Sequence, residues 1–180
     1  MPRRKVYPEN EVAMFVPFES LADHSRLWIY QSNKKLSTGE IDILSDALRA
    51  FTEQWTVHGQ PMKASFHIAH NRFIMLAADE GYNAASGCSI DGSVRTLKAL
   101  GQELNADFFD RTQVAFQLDG EVVALPLAEL KSKYEAGLWT AKTPVFNTLV
   151  DTKANLAAQW LTPAGATWLK RYLPKETISG

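Results

Sequence analysis

Cys88 is the only cysteine of the chain and lies within AASGCSIDGS (84–93), just before a segment with helical spacing. A helix N-terminus lowers the pKa of a nearby thiol, because the helix dipole and the free N–H groups stabilise the thiolate. Two hypotheses follow for this stretch. Cys88 is either a reactive thiol or a small buried side chain in a turn that Ser89 or Asp91 caps.

His58 and Asp91 are the predicted partners of Cys88 under the first hypothesis. His58 would exchange a proton with the thiol, and Asp79 or Asp91 would orient the histidine. Backbone N–H groups beside Cys88 would stabilise an oxyanion, as in enzymes that transfer acyl groups. These residue types therefore indicate a cysteine-dependent hydrolase or transferase as one alternative.

The same stretch also has the composition of an anion-binding loop. Small residues that open a helix leave backbone N–H groups free to bind a phosphate or a carboxylate. The predicted ligand-binding residues are Ser86, Gly87, Ser89, Lys63 and Arg95. We therefore predict, as the main function, that a small anionic ligand binds where loops 80–92 and 57–63 meet.

The elements that position these residues follow from the spacing of apolar side chains. LSTGE (36–40) predicts a helix start, with Ser37 as its cap and Glu40 closing a capping box. Apolar residues at helical spacing from Ile90 to Leu104 predict a second helix. The predicted strands cover residues 26–33, 63–70, 72–79 and 112–118, and Asp119-Gly120 joins the last of them to a further strand.

The order of these elements is β-α-β-β-α-β, which predicts an α+β fold with a ferredoxin-like core over residues 26–118. We expect an antiparallel sheet with both helices on one face. Residues 119–180 would add a strand and a helical C-terminal extension packed on the core, within a single domain spanning 1–180. Thr162-Pro163 predicts a helix start in that extension. In this topology loops 57–63 and 80–92 emerge at the same end of the sheet, where His24, Arg26 and Asp79 should also lie. His70-Asn71 should form a tight turn at the opposite end.

Aromatic residues on the predicted strands indicate a non-catalytic alternative. If Leu27, Ile29, Ala64, Phe66 and Ile68 face the helices, the open face of the sheet carries Trp28, Tyr30 and His67. Such a face binds a protein partner, or stacks RNA bases as RNA-recognition modules do. A homodimer through this face or through an edge strand is a further alternative.

The composition of the chain indicates which classes of partner and which cellular compartment to expect. The formal net charge is −1 over 180 residues, which argues against nucleic acid as a partner. A single cysteine and the absence of a long apolar stretch predict a cytoplasmic protein with no membrane partner. No cofactor or metal is predicted, since His67 and His70 are three apart on a strand and point to opposite faces.

Four stretches of the chain carry a family resemblance: SRLWIYQSN, FTEQWTVHGQPMKASFHIAHNRFIMLAADE, ASGCSIDGSVR and VFNTLVDTK. Between about Val16 and Leu173 the chain resembles a family of small uncharacterised bacterial proteins that are often labelled "ABC transporter ATPase". The residues argue against that activity, because the phosphate-binding loop G-x-x-x-x-G-K-[ST] is missing and no Gly-Lys pair occurs anywhere. LSTGE looks like an ABC signature but is better explained as the capping box.

Overall fold

A computed structural model of the chain describes residues 15–57, 60–61, 63–79 and 87–175, with the backbone alone for 56–57, 60–61 and 87–89. The first strand, β1, spans Arg26–Gln31, and the first helix, α1, spans Thr38–Gln54. The predicted capping box is confirmed. The Glu40 N–H donates to Ser37 Oγ over 3.2 Å, and the Ser37 N–H donates to Glu40 Oε1 over 3.0 Å.

A short ribbon and a hairpin follow α1. The ribbon pairs β2 (Thr56–Val57) with β3 (Gln60–Pro61), and the hairpin pairs β4 (Lys63–Ala69) with β5 (Phe73–Asp79). Its tight turn places His70 and Asn71 at positive φ, 53° and 55°. The sheet order is β1-β5-β4 with every pair antiparallel, and helix α2 (Gly87–Leu104) follows.

The second half of the chain builds a second antiparallel sheet. Its strands are β6 (Gln113–Leu118), β7 (Glu121–Pro126), β8 (Pro144–Phe146) and β9 (Leu161–Pro163), in the order β7-β6-β8-β9. The Asp119-Gly120 turn is confirmed, because both residues have positive φ, 52° and 79°. Helices α3 (Leu130–Glu135) and α4 (Lys153–Gln159) complete the described α-helices. The predicted helix start at Thr162-Pro163 is wrong, since both residues end β9 and only a 3₁₀ turn follows.

The described residues form an α+β fold with two antiparallel sheets, and the full ferredoxin-like strand order is not observed. The first three predicted strands have the expected order, but the fourth, β6, belongs to the second sheet instead of pairing with β1. Part of the β1 edge already has other partners. The Leu27 N–H donates to Asp151 O over 2.8 Å, and Gln31 bridges to Phe109. β6 pairs with β7 and β8, which satisfies its backbone within the second sheet.

The three-stranded sheet is buried on both faces. Its first face packs on α1 and α2 through residues such as Leu44, Leu76 and Leu97. Its second face packs on the second sheet through residues such as Phe73 and Phe146. The far side of the second sheet is covered by α3 and the C-terminal 3₁₀ turns, around the buried Trp139.

The predicted open aromatic face is wrong, because Trp28 and Tyr30 pack on the helix side of the sheet. The register explains this: Trp28 lies across from Leu76, which lies across from Phe66, and opposed residues share a face. Leu27 and Ile29 therefore point to the second sheet and not to the helices as predicted. Ala64, Phe66 and Ile68 do pack in the helix cluster, as predicted. His67 is exposed on the other side, with its ring 5.6 Å from that of Phe18.

Candidate functional site

The predicted site end of the three-stranded sheet gathers charged side chains from three segments. His24, just before β1, lies with its Nε2 2.8 Å from Asp79 Oδ1 at the end of β5. Lys63, at the start of β4, is paired in register with Asp79 and is exposed. The beginning of β1, the beginning of β4 and the end of β5 therefore meet, as predicted from the split β-α-β order.

Helix α2 begins at this same end. A Cβ atom at Gly92 would lie 3.9 Å from Phe51 Cε2, which places the first turns of α2 beside the last turns of α1. The helix starts at Gly87, three residues before Ile90, where the predicted apolar spacing began. Its first residues carry backbone N–H groups that lack acceptors within the helix and can donate hydrogen bonds to an anionic ligand.

The predicted site residues fall into three groups. Asp91 and Arg95 are exposed residues of α2. Ser89 and Asp91 both lie inside this helix, so the prediction that one of them caps it is wrong. Gly87, Cys88 and Ser89 form the first turn of α2, where only the backbone is described. Ser86 and His58 lie outside the described residues. The pairing of Cys88 with His58 and Asp91 therefore stays a prediction.

The opposite end of the sheet carries a different ionic cluster. Lys34 Nζ lies 2.8 Å from Glu40 Oε2 and donates to Leu104 O over 2.9 Å, so it links α1 to the end of α2. The hydrogen bond from Lys34, with that from the Ser37 backbone, lowers the pKa of Glu40 to about 2. Nearby, burial lowers the pKa of the Arg72 guanidinium. The contacts of Lys34 connect α1 to the end of α2, and they lie at the opposite end of the sheet from Lys63 and Asp79.

The structure brings together a second candidate site that the sequence did not indicate. A cavity of about 640 Å³ opens between the edge of β1, the first half of β6 and residues 145–149. We call it the inter-sheet groove. Its walls include Ile29, Tyr30, Phe109, Val114, Leu127 and Trp168. Polar side chains of Gln31, Gln113, Asn147 and Thr148 interrupt this apolar lining.

The groove lies where backbone pairing does not join the two sheets. In the described residues, β6 and β8 share one register pair, Phe116 with Val145. On the other wall, a side chain bridges β1 and β6, with Gln31 Nε2 donating to Gln113 O over 3.3 Å. The two sheets thus face each other across a gap that backbone pairing does not close.

Large apolar side chains stand exposed around the groove. Leu127 is 42% exposed, Trp168 is 48% exposed and Leu149 is 84% exposed, and all three line the cavity. Sequence spacing cannot separate such residues from core residues, because each occurs in an irregular segment without helical or strand periodicity.

No group of three or more His, Cys, Asp or Glu side chains in the described residues is placed to hold a metal ion. None of the helices described combines the length and apolarity that crossing a membrane requires. No protein-family model, curated protein or solved structure matches the chain.

Proposed function

We propose that this protein is a non-catalytic binding module whose ligand occupies the inter-sheet groove. The observation that carries the proposal is a cavity of about 640 Å³ with Leu127, Leu149 and Trp168 exposed around it. Binding sites of proteins have volumes of roughly 300–1,000 Å³ and mostly apolar walls with a few polar groups. Clustered exposed apolar side chains mark surfaces that a ligand or partner covers.

The proposal predicts that an apolar anionic dye binds in the groove. We expect 8-anilinonaphthalene-1-sulfonate to gain fluorescence with the native protein and to bind about tenfold more weakly to Leu127→Asp, which corresponds to about 1.4 kcal/mol. The substitution places a carboxylate against the apolar rings and the sulfonate of the dye. The measurement is a fluorescence titration of the full chain.

Leu138→Asp is the matched control for this titration. Leu138 is 43% exposed against 42% for Leu127, but it does not line the groove. Both variants add one negative charge, so a general electrostatic effect would weaken dye binding equally in both. Equal affinities for the two variants would contradict the proposed site.

A second candidate function is the binding of a small anionic ligand at the α2 end of the sheet, in a cytoplasmic protein. It is favoured by Lys63 beside the pair of His24 and Asp79, with the first turn of α2 at the same end. Free N–H groups at the start of an 18-residue helix and a nearby ammonium group both attract phosphate. Proteins of the family that the chain resembles are often labelled as ATPases. This candidate includes the binding of an anion but no hydrolysis of ATP, because the chain lacks the phosphate-binding loop.

Inorganic phosphate tests the second candidate directly. On adding phosphate, we expect ¹⁵N–¹H shifts at residues 87–90 that saturate in the wild type and are lost in Lys63→Glu. The control is Lys142→Glu, which reverses the charge of an exposed lysine between α3 and β8. Shifts that both variants retain, or that both lose, would show that Lys63 has no specific role and would remove this candidate.

A further inference from the structure

The end of α2 opens onto a second cavity, at the end of the sheet that carries the ion pair of Lys34 with Glu40. Its volume is about 440 Å³, which lies within the range of small-ligand sites. We call it the α2-end cavity. It shares Phe108 and Phe109 with the inter-sheet groove, and its other walls come from α2, from Asn33 and from residues 105–107. It is therefore a different cavity from the one to which the proposed function refers.

The chain reversal after α2 gives this cavity a fixed shape. Asn105 has a φ of 50°, and the Ala106 N–H donates to Gly101 O over 2.8 Å, as in a Schellman motif. A Cβ atom on Gly101 would lie 2.6 Å from Ala106 O, so the close approach requires glycine. Lys34 Nζ donates to the Leu104 carbonyl. Because these last carbonyls of α2 are already used, the hydrogen-bonding groups left to a ligand are mainly those of side chains.

Two of the lining side chains are held in place by the backbone around them. The Asn33 N–H donates to Asp107 O over 2.9 Å, and the Asp107 N–H donates to Asn33 Oδ1 over 2.9 Å. Asp107 Oδ1 accepts in turn from the Phe109 N–H over 2.8 Å. Asn33 Nδ2 and Asp107 Oδ2 have no hydrogen-bond partner among the described residues. The wall thus carries a fixed amide donor beside a fixed carboxylate acceptor.

Three further polar side chains line the cavity, and all are exposed: Lys98, Gln102 and Asn105. The side-chain amides of Gln102 and Asn105 form no hydrogen bond within the described part of the chain. Each amide offers two N–H donors and one carbonyl acceptor. The positive charge of Lys98 and the negative charge of Asp107 balance, so the lining favours neither anions nor cations. The cavity therefore suits a neutral ligand with many hydrogen-bonding groups.

We infer that the α2-end cavity binds a neutral saccharide through one pyranose ring. Each hydroxyl of such a ring both donates and accepts hydrogen bonds, which matches the mixed donors and acceptors of the wall. The C–H groups of the ring need an apolar surface, and the half-buried Phe109 provides one. A nucleobase fits this wall less well, because the Phe109 ring already has Lys98 Nζ at 5.9 Å and the Tyr30 ring at 5.4 Å.

An NMR titration of the ¹⁵N-labelled full chain tests the inference. The probes are the methyl glycosides of glucose, galactose, mannose and N-acetylglucosamine, each added to about 100 mM, which exceeds the millimolar range of weak ligands. We expect at least one of them to shift the side-chain NH₂ signal of Asn33 in a saturable manner. Asp107→Asn keeps the oxygen that accepts from Phe109 but replaces the free oxygen with an NH₂ group. It should raise the Kd about tenfold, because a charge-assisted hydrogen bond is lost.

Two variants are the matched controls. Asp46→Asn removes an exposed carboxylate of α1 that does not line the cavity, and it should bind as the wild type does. Gln102→Ala should weaken binding, whereas Glu103→Ala, the next residue of α2 and outside the lining, should not. Sorbitol, an open-chain polyol, controls for general effects of polyhydroxyl solutes.

Three results would each overturn the inference. The first is that no glycoside gives saturable shifts at Asn33, and the second is that sorbitol gives the same shifts as the glycosides. The third is that neither Asp107→Asn nor Gln102→Ala binds more weakly than its control. Adenosine is titrated in parallel, and saturable shifts with adenosine alone would assign the cavity to a nucleobase instead of a saccharide.

Discussion

Cys88 occupies the second position of α2, an 18-residue helix that starts at Gly87. In general, the first turn of a helix stabilises a thiolate through the helix dipole and through N–H groups that have no acceptor within the helix. The sequence predicts Cys88 just ahead of the helix, whereas the structure includes the backbone of Cys88 in the first turn. Its pairing with His58 depends on residues outside the described part of the chain.

The pH dependence of Cys88 alkylation tests this position. We expect the rate of reaction with iodoacetamide to reach half its maximum below about pH 8.5, the value of a free cysteine. If His58 pairs with the thiol, the midpoint rises in His58→Ala. Cys88→Ser is the labelling control, since it removes the only thiol of the chain. A midpoint that His58→Ala leaves unchanged would contradict the pairing, and a thiol that does not react would leave the buried alternative.

At the scale of elements, the start of α1 shows how local sequence and tertiary contact combine. Ser37 and Glu40 form the capping box that their spacing predicts. Lys34 then adds an ion pair with Glu40 and a hydrogen bond to the end of α2 at Leu104. The carboxylate of Glu40 thus acts within its own helix and, through Lys34, between two helices.

The lowered pKa of Glu40 makes the stability of the protein depend on pH in acid. The group titrates at its usual 4.5 when unfolded and at about 2 when folded. Its contribution is therefore complete above about pH 4.5 and is lost as the pH falls towards 2. In urea unfolding between pH 2 and 6, we expect Glu40→Gln to be less stable than wild type at pH 6 and to lose less stability on acidification.

A matched control separates this effect from the general loss of carboxylate charge. Glu103→Gln removes the charge of an exposed carboxylate of α2 for which the described residues provide no ion pair. We expect its pH profile to follow that of the wild type. If the pH profile of Glu40→Gln runs parallel to that of the wild type, the capping box and the Lys34 contact contribute no pH-dependent part to the free energy of unfolding.

At the scale of the whole molecule, two sheets pack face to face between layers of helical segments. The contact between the sheets includes an aromatic group in which the Phe73 and Phe146 rings lie 4.9 Å apart and the Trp160 ring lies 5.1 Å from Phe146. Phe73 belongs to the first sheet and Phe146 to the second. This packing couples the two halves of the chain, and the single domain spanning 1–180 stays a prediction.

Phe146→Ala tests that coupling. Loss of a buried aromatic ring costs about 3–5 kcal/mol of unfolding free energy, through lost burial and the cavity left behind. Far-ultraviolet and near-ultraviolet circular dichroism should report one shared unfolding transition in wild type and variant. Leu149→Ala is the control in the same segment, because Leu149 is 84% exposed, and should cost less than about 0.5 kcal/mol. Two separated transitions would indicate two independent domains.

Local structure was largely predictable from the sequence. The helix start at Ser37, the turns at His70-Asn71 and Asp119-Gly120 and the first three strands all follow from nearby residues. Capping, positive φ and apolar spacing are short-range effects, so a short window of sequence contains their causes. The charged end of the first sheet followed from element order alone.

Only the tertiary structure decided which strands pair and which faces meet. Alternation in β1 allows Trp28 or Leu27 to face the helices, and the choice depends on the register with Leu76 in a strand that lies far along the chain. The placement of β6 depends on a competition between β1 and β8 for its edge, which no local pattern encodes. For this reason the sequence determined the elements and the charged end, whereas the groove became visible only once the two sheets were in place.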